Sequence, residues 1–124
     1  MTAAPSTYSE IKRDLEFEVL AGCLRRKDVV RLAAAHLAEW RWTHGVHELL
    51  WDIVKRAWDE HRETVALATI RPHCRGKDGA EDPALVEAIR QVVAHKGESA
   101  KTAASTLAKM SRVDHVRFST AQIL

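Results

Sequence analysis

The stretch THGVHELLWDIVKRAWDEHR, residues Thr43 to Arg62, decides the fold. Apolar side chains recur in it at the three-and-four spacing of a buried helix face, and Trp51 and Trp58 widen that face to one side. Because so broad an apolar surface needs neighbours on more than one side, the stretch predicts the central helix of a small all-α helical bundle. The residues expected in the core are Val46, Leu50, Ile53 and Ala57.

Further helices are predicted around this central helix. Apolar periodicity indicates helices at 8–25, 29–39 and 65–71, and Pro72 ends the last of them. Residues that commonly cap helix N-termini precede these helices and the central one: Thr7, Asp28, Thr43 and Thr64. Residues 8–71 are therefore expected to form a bundle of helices, after a small polar leader at 1–7 that we expect to be disordered.

The C-terminal part is predicted to be a helical hairpin. Residues 72–81 contain two glycines, a proline and several charges, which indicate a loop or linker. Asp82 with Pro83 is typical of a helix start, Gly97 ends that helix, and Ser99 precedes a second one at 100–112. Residues 113–124 fit a short helix or a strand equally well. This hairpin and tail, 82–124, are expected to project from the bundle as a partner-facing appendage, although completing the bundle is the alternative.

Composition limits the class of protein. A chain of 124 residues, 46% hydrophobic and 29% charged, is long enough for one domain with one core. Its net charge of +2 is too small to indicate nucleic-acid binding by itself. Cys23 and Cys74 lack the density of a disulfide framework, and no apolar run has the length of a signal peptide or a membrane span. A cytoplasmic location is the expectation.

Motifs for chemistry are missing from the sequence. It has no phosphate-binding glycine loop, nucleophile elbow or aspartate-rich metal loop, so we expect no enzyme and no cofactor. The best cluster joins His44, His47 and Glu48 with His73 or Cys74, which are ligand types that zinc accepts. A surface pair of His44 with Glu48 and a buried, hydrogen-bonded His47 explain the same residues without a metal. We therefore expect no metal site.

Several residues are candidates for contacts with a protein partner. Tryptophan and arginine are enriched among the residues that anchor interfaces, although a tryptophan at a helix junction also serves as a core plug, and arginines at a helix C-terminus are favoured by the helix dipole. The C-terminal end of the chain adds apolar residues with no obvious place in the core. The partner-binding candidates are Arg25, Arg26, Trp40, Trp42, Trp58, Val116, Phe118, Ile123 and Leu124.

Binding of DNA is the alternative function. Residues 84–112 contain two helices joined by KGES, a turn with the glycine expected of a helix-turn-helix. The second helix is rich in Ala, Ser and Thr and lacks the long side chains that read base edges. The residues that would meet phosphates are Lys96, Lys101, Lys109 and Arg112.

Two segments resemble a family of replication proteins. Residues 16–24, EFEVLAGCL, are similar to the opening helix of the N-terminal domain of bacterial replicative hexameric DNA helicases, with its Glu, Val-Leu and small residue. Trp42, His47 and the apolar residues at 50–54 have the spacing of the pattern on that family's central helix. Residues 64–70 fall where the family has a short Val-Asp-x-x-Thr-Leu segment. The resemblance covers about Leu15 to Ile70.

The same bundle recurs in the C-terminal helicase-binding domain of bacterial primase, which ends in a helical hairpin similar to that predicted at 84–112. This sequence departs from the helicase pattern because its glycine is displaced to Gly22 and because the Gly-Gly-x-Tyr-Leu segment is missing after Ile70. The resemblance implies a non-catalytic adaptor of DNA replication that docks on a helicase, a primase or its own copies.

Overall fold

The computed structural model describes residues 8–123, with side chains as far as Arg112. This part of the chain contains six α-helices and no strand, which confirms the all-α prediction. The helices are α1 Tyr8–Cys23, α2 Lys27–His36, α3 Gly45–His61, α4 Leu67–Ile70, α5 Pro83–Ala94 and α6 Ala100–Ile123. A 3-10 turn, Arg71–His73, follows α4 directly. The leader predicted at 1–7 lies outside the described residues.

The helix at the centre of the bundle is α1 rather than α3. It packs against α2, α3, α5 and α6, and its last five residues, Val19 to Cys23, are buried. On α3, Leu50 and Ile53 are buried as predicted, whereas Val46 and Ala57 are only half-buried, so the core expected there is wrong at two positions. The side chains of α1 with no exposed surface include Val19, Leu20, Ala21 and Cys23. The apolar face of α3 therefore covers one side of α1.

Helix α6 lies close against α1 because small residues occupy the contact. A Cβ added to Gly22 would collide with the Cβ of Ala100, and one added to Gly97 would collide with the backbone nitrogen of Gly22. Gly97 also has a φ of 65°, a conformation that favours glycine. The small size of the α6 residues is thus what allows two backbones to approach. The buried side chains of α6 are Ala100, Ala103, Ala104, Leu107 and Ala108.

The C-terminal hairpin completes the bundle as far as its side chains are described. Ile89, Val92 and Leu107 are buried in the same core as α1, so the expectation of a projecting appendage is wrong for residues 82–112. Helix α6 also continues beyond the predicted end at Arg112, and residues 113–123 are helical rather than extended. The alternative considered from the sequence, in which the hairpin folds back on the bundle, is the one adopted.

The segment predicted as a linker is a closed loop. The backbone N–H of Asp82 donates to the carbonyl of Cys74 at 2.9 Å, and that of Gly76 donates to the carbonyl of Ala80 at 2.8 Å. Asp82 caps α5 as predicted, because its carboxylate accepts from the N–H groups of Ala84 and Leu85 while Pro83 occupies the first helical position. These bonds fix where α5 begins.

Other predicted caps are wrong. Helix α2 begins after Arg26, and Asp28 lies inside its first turn, where it pairs with Lys101 at 2.6 Å. Helix α3 begins after His44, whose Nδ1 accepts from the N–H of Val46 at 3.2 Å. Helix α4 starts at Leu67, and no side chain caps it. The capping residues that the sequence misassigned are Asp28, Thr43 and Thr64.

Candidate functional site

A buried glutamate joins α1 to the segment that precedes α3. The Glu16 side chain has no exposed surface, and its carboxylate accepts hydrogen bonds from Trp40 Nε1 at 2.8 Å and from Thr43 Oγ1 at 2.8 Å. It also accepts from the backbone N–H of Thr43 at 2.9 Å, and it contacts His47 Nδ1 at 2.9 Å. Glu16, Trp40, Thr43 and His47 are called the Glu16 hub below. The hub fixes the turn between α2 and α3 against α1.

Glu16 is ionised in the folded protein. Burial acts to raise the pKa of its carboxyl, but the hydrogen bonds from His47, Thr43 and Trp40 outweigh burial and hold that pKa below its ordinary value. Because an ionised carboxylate only accepts, Nδ1 of His47 must carry a proton and donate it. Both oxygens of Glu16 thereby accept hydrogen bonds from within the protein. This arrangement is typical of a carboxylate with a structural role.

A groove with an aromatic floor runs beside the hub. Its volume is about 440 Å³, and it lies where the turn after α2 meets α3. The Trp42 and Trp51 rings pack at 5.4 Å between centroids, and Trp40 completes the floor. On the rim, Glu48 and Asp52 are exposed one helical turn apart. The tryptophan groove, as we call it, is lined by Ala38, Trp40, Arg41, Trp42, Glu48, Trp51 and Asp52.

The three tryptophans of the groove are not equally anchored. Trp40 donates its indole N–H to Glu16. The Nε1 of Trp42 is also buried, but no acceptor for it exists among the described residues. A buried donor without an acceptor lowers the free energy of unfolding by roughly 1–3 kcal/mol. The indole N–H of Trp42 is such a donor within the described residues.

The partner-binding residues predicted from the sequence fall into separate groups. Trp58 is 6% exposed and belongs to the core, whereas Trp40 is 9% exposed and presents only the edge that lines the tryptophan groove. Trp42 is half-buried and faces the tryptophan groove. Arg25 and Arg26 hold the α5–α6 junction. Candidates whose side chains lie outside the described residues are Val116, Phe118, Ile123 and Leu124.

The two arginines act through the backbone that follows α5. The guanidinium of Arg25 donates to the carbonyls of Val93 at 2.9 Å and His95 at 3.2 Å. That of Arg26 donates to the carbonyl of Gly97 at 2.6 Å. Both arginines thus stabilise the end of α5 and the turn before α6, a structural role that the sequence did not indicate.

The zinc alternative is not assembled in the described part of the chain. His47 is bound to Glu16, His44 caps α3, and the buried Cys74 directs its thiol toward the carbonyl of Ile70. Within residues 8–112 no three His, Cys, Asp or Glu side chains are grouped to hold a metal ion. Burial raises the pKa of the Cys23 thiol to about 12 and also raises the pKa of Cys74. Neither thiol is ionised at neutral pH.

The residues predicted to meet DNA phosphates are exposed on α6 and on the turn before it. Lys101 forms an ion pair with Asp28 of α2, which places α2 beside this surface. Two further cations of α2, Lys27 and Arg31, are exposed as well. The basic face is defined here as Lys27, Arg31, Lys101, Lys109 and Arg112. The remaining candidate, Lys96, is exposed in the turn between α5 and α6.

Sequence reasoning missed the central residue of the hub. Glu16 precedes Val19, Leu20 and Cys23 by three, four and seven positions, so it lies on the apolar face of its helix. A carboxylate at such a position is the available signal, because burial of a charge requires partners. The sequence does not say which distant donors those partners are.

Comparison with protein families, curated proteins and solved structures finds no match for this chain. Over the described residues, no helix combines the length and apolarity that crossing a bilayer requires. Interpretation of function therefore depends on the surfaces described above.

Proposed function

We propose that this chain is a non-catalytic protein-interaction domain that receives a partner chain in the tryptophan groove. The observation that carries the proposal is the convergence of Trp40, Trp42 and Trp51 on one open groove, with the Trp42 N–H lacking an acceptor in the described chain. Tryptophan is among the residues most enriched at the energetic centre of interfaces. A groove with an aromatic floor and a charged rim has the composition of such a centre.

The groove favours a partner segment of particular chemistry. Its floor suits an apolar side chain, and the exposed carboxylates of Glu48 and Asp52 suit a lysine or arginine beside that side chain. The segment is therefore an apolar anchor with a flanking cation.

The identity of the first partners to test comes from the sequence resemblance. Residues 15–70 resemble the N-terminal domain of replicative helicases and the helicase-binding domain of primase. The proposed role is therefore an adaptor in DNA replication. Its partners are then a helicase, a primase or a second copy of the chain. A cytoplasmic location belongs to the same proposal.

The test measures binding of the purified chain to the replicative helicase and to the primase of its own host, and its self-association by light scattering. Replacing Trp42 by Ala removes the exposed part of the floor and is expected to cost about 2 kcal/mol, or roughly thirtyfold in affinity. Reversing the rim in Glu48→Lys/Asp52→Lys repels the cation and is expected to weaken binding about tenfold or more.

The matched control is Glu60→Lys/Glu63→Lys. It makes the same change of charge at exposed positions near the other end of α3, so binding is expected to equal that of the unmodified chain. Equal binding by the rim variant and the control, with helicity intact by circular dichroism, would place the partner elsewhere and refute the groove. Absence of binding to all three candidates at about 50 µM, a standard binding free energy near −6 kcal/mol, would refute the replication adaptor.

A further inference from the structure

Charge is unevenly divided between two parts of this molecule. The segments 24–36 and 95–112 contain eight Lys and Arg but only two Asp and Glu, a net charge of +6. The rest of residues 8–112 contains ten Lys and Arg and fourteen Asp and Glu, a net charge of −4. The small net charge of the whole chain therefore conceals a strongly basic part and an acidic remainder.

The fold brings the two basic segments together. Helices α2 and α6 pack on each other, and the ion pair between Asp28 and Lys101 at 2.6 Å joins their first turns. Arg26 further ties the start of α2 to the turn before α6 through the carbonyl of Gly97. As a result, cations about seventy positions apart in sequence share one surface, the basic face.

Most of this charge is not neutralised within the described chain. Lys27, Arg31 and Lys109 are exposed, and none of them has a carboxylate within 4.0 Å among the described residues. The helical rise places Lys101 and Arg112 about 16 Å apart along α6. Several adjacent phosphates of a nucleic-acid strand fit within that length, because each strand of a duplex carries one phosphate per about 3.4 Å of its axis.

We propose that the basic face binds the sugar–phosphate backbone of duplex DNA. Exposed Thr102 and Ser105 lie between the lysines of α6, and their hydroxyls are suited to donate to phosphate oxygens. The same short side chains let a backbone approach closely. They lack the reach that base recognition requires, so the binding is independent of sequence. The surface differs from the tryptophan groove, and the inference holds whether or not the groove takes a protein.

A lipid surface fits this face less well. Helices that lie in a membrane interface combine cations with large apolar side chains that enter the lipid. The exposed large hydrophobic residues of the described chain are Tyr8 and Ile11, at the start of α1, and neither belongs to the basic face. The basic face therefore favours a nucleic-acid backbone, which cationic and hydroxyl side chains can bind without large apolar residues.

The experiment follows the anisotropy of a short fluorescein-labelled duplex with the full chain, from about 20 to about 200 mM salt. Neutralisation of five phosphates predicts that the logarithm of the affinity falls against the logarithm of salt with a slope of about −4.5. The variant Arg31→Gln/Lys109→Gln should reduce the slope to about −2.7 and weaken binding at low salt at least tenfold.

The control Arg56→Gln/Lys77→Gln removes the same charge from exposed positions outside the basic face and should leave both quantities unchanged. An equal loss in the two double variants would show that net charge acts without a defined face and would overturn the proposal. No binding at about 20 mM salt would also overturn it. So would equal or stronger binding to phosphatidylserine vesicles or to polyglutamate, because the duplex would then not be the preferred partner.

Discussion

Replacing Glu16 by Gln tests whether the buried hub holds the bundle together. The carboxylate accepts from four donor atoms: Trp40 Nε1, the N–H and Oγ1 of Thr43, and His47 Nδ1. Glutamine has nearly the same shape, but one of its two terminal groups is a donor. In Glu16→Gln an amide NH₂ at the Oε2 position would face two fixed donors, Trp40 Nε1 and the Thr43 N–H. At the Oε1 position it instead requires the Thr43 hydroxyl and His47 Nδ1 to become acceptors, which for His47 means the other tautomer.

The expected loss comes from weaker hydrogen bonds and not from stranded donors. In the favourable amide orientation no donor is stranded, but His47 must change tautomer, and bonds to a charge become bonds to a neutral amide. We expect a decrease in the free energy of unfolding of about 1–3 kcal/mol, out of the 5–15 kcal/mol typical of a domain. With a denaturant slope of about 1.5 kcal/mol per molar urea, the midpoint should fall by about 1 M.

The assay is urea unfolding followed by far-ultraviolet circular dichroism. Glu87→Gln makes the same substitution at an exposed position of α5 and should change the free energy of unfolding by no more than about 0.5 kcal/mol. If the two variants unfold at midpoints within about 0.3 M of each other, the hydrogen bonds of Glu16 do not stabilise the fold as described.

Two further predictions concern acid and truncation. Because the folded pKa of Glu16 lies below its ordinary value of 4.5, its contribution is complete above that value and is lost as pH falls through the folded pKa. Urea midpoints measured from pH 7 down to about pH 3 should therefore converge for the unmodified chain and Glu16→Gln, and a constant difference between them would contradict this linkage. A chain that ends at Arg75 lacks the buried Ile89 and Leu107, and it should aggregate or melt without cooperativity. A cooperative melt of that shortened, helical chain would instead show that α5 and α6 are separable from the core.

Patterns local in sequence predicted the helical elements well. Periodicity over 43–62 predicted α3 within two residues at its start and one at its end, and Asp82 with Pro83 predicted the start of α5. Such signals depend on neighbours three or four positions away, which a helix brings together whatever the rest of the chain does. The caps failed where a side chain had a stronger distant partner. Thr43, for example, donates to Glu16 instead of capping α3.

The candidate sites depended on contacts that no local pattern encodes. Trp42 was predicted to bind a partner, but only the fold distinguishes it from the internal Trp40. The sequence predicted only part of the basic face. Lys101 and Lys109 were predicted as phosphate contacts, whereas Lys27 and Arg31 were not. The cations of α2 lie beside those of α6 because the two helices pack together, and Gly22 and Gly97 permit the close approach of α1 to the turn before α6.

The sequence by itself determined that this chain is helical, where most helices lie, and that one domain contains a single core. Tertiary structure decided that α1 rather than α3 is central, that the C-terminal hairpin belongs to the core, and that Glu16 is a buried tie. The physical reason is the range of the forces involved. Helix periodicity and the Asp82 cap act within one or two turns, whereas the burial of a carboxylate or the packing of glycine on alanine depends on residues that only the folded chain makes neighbours.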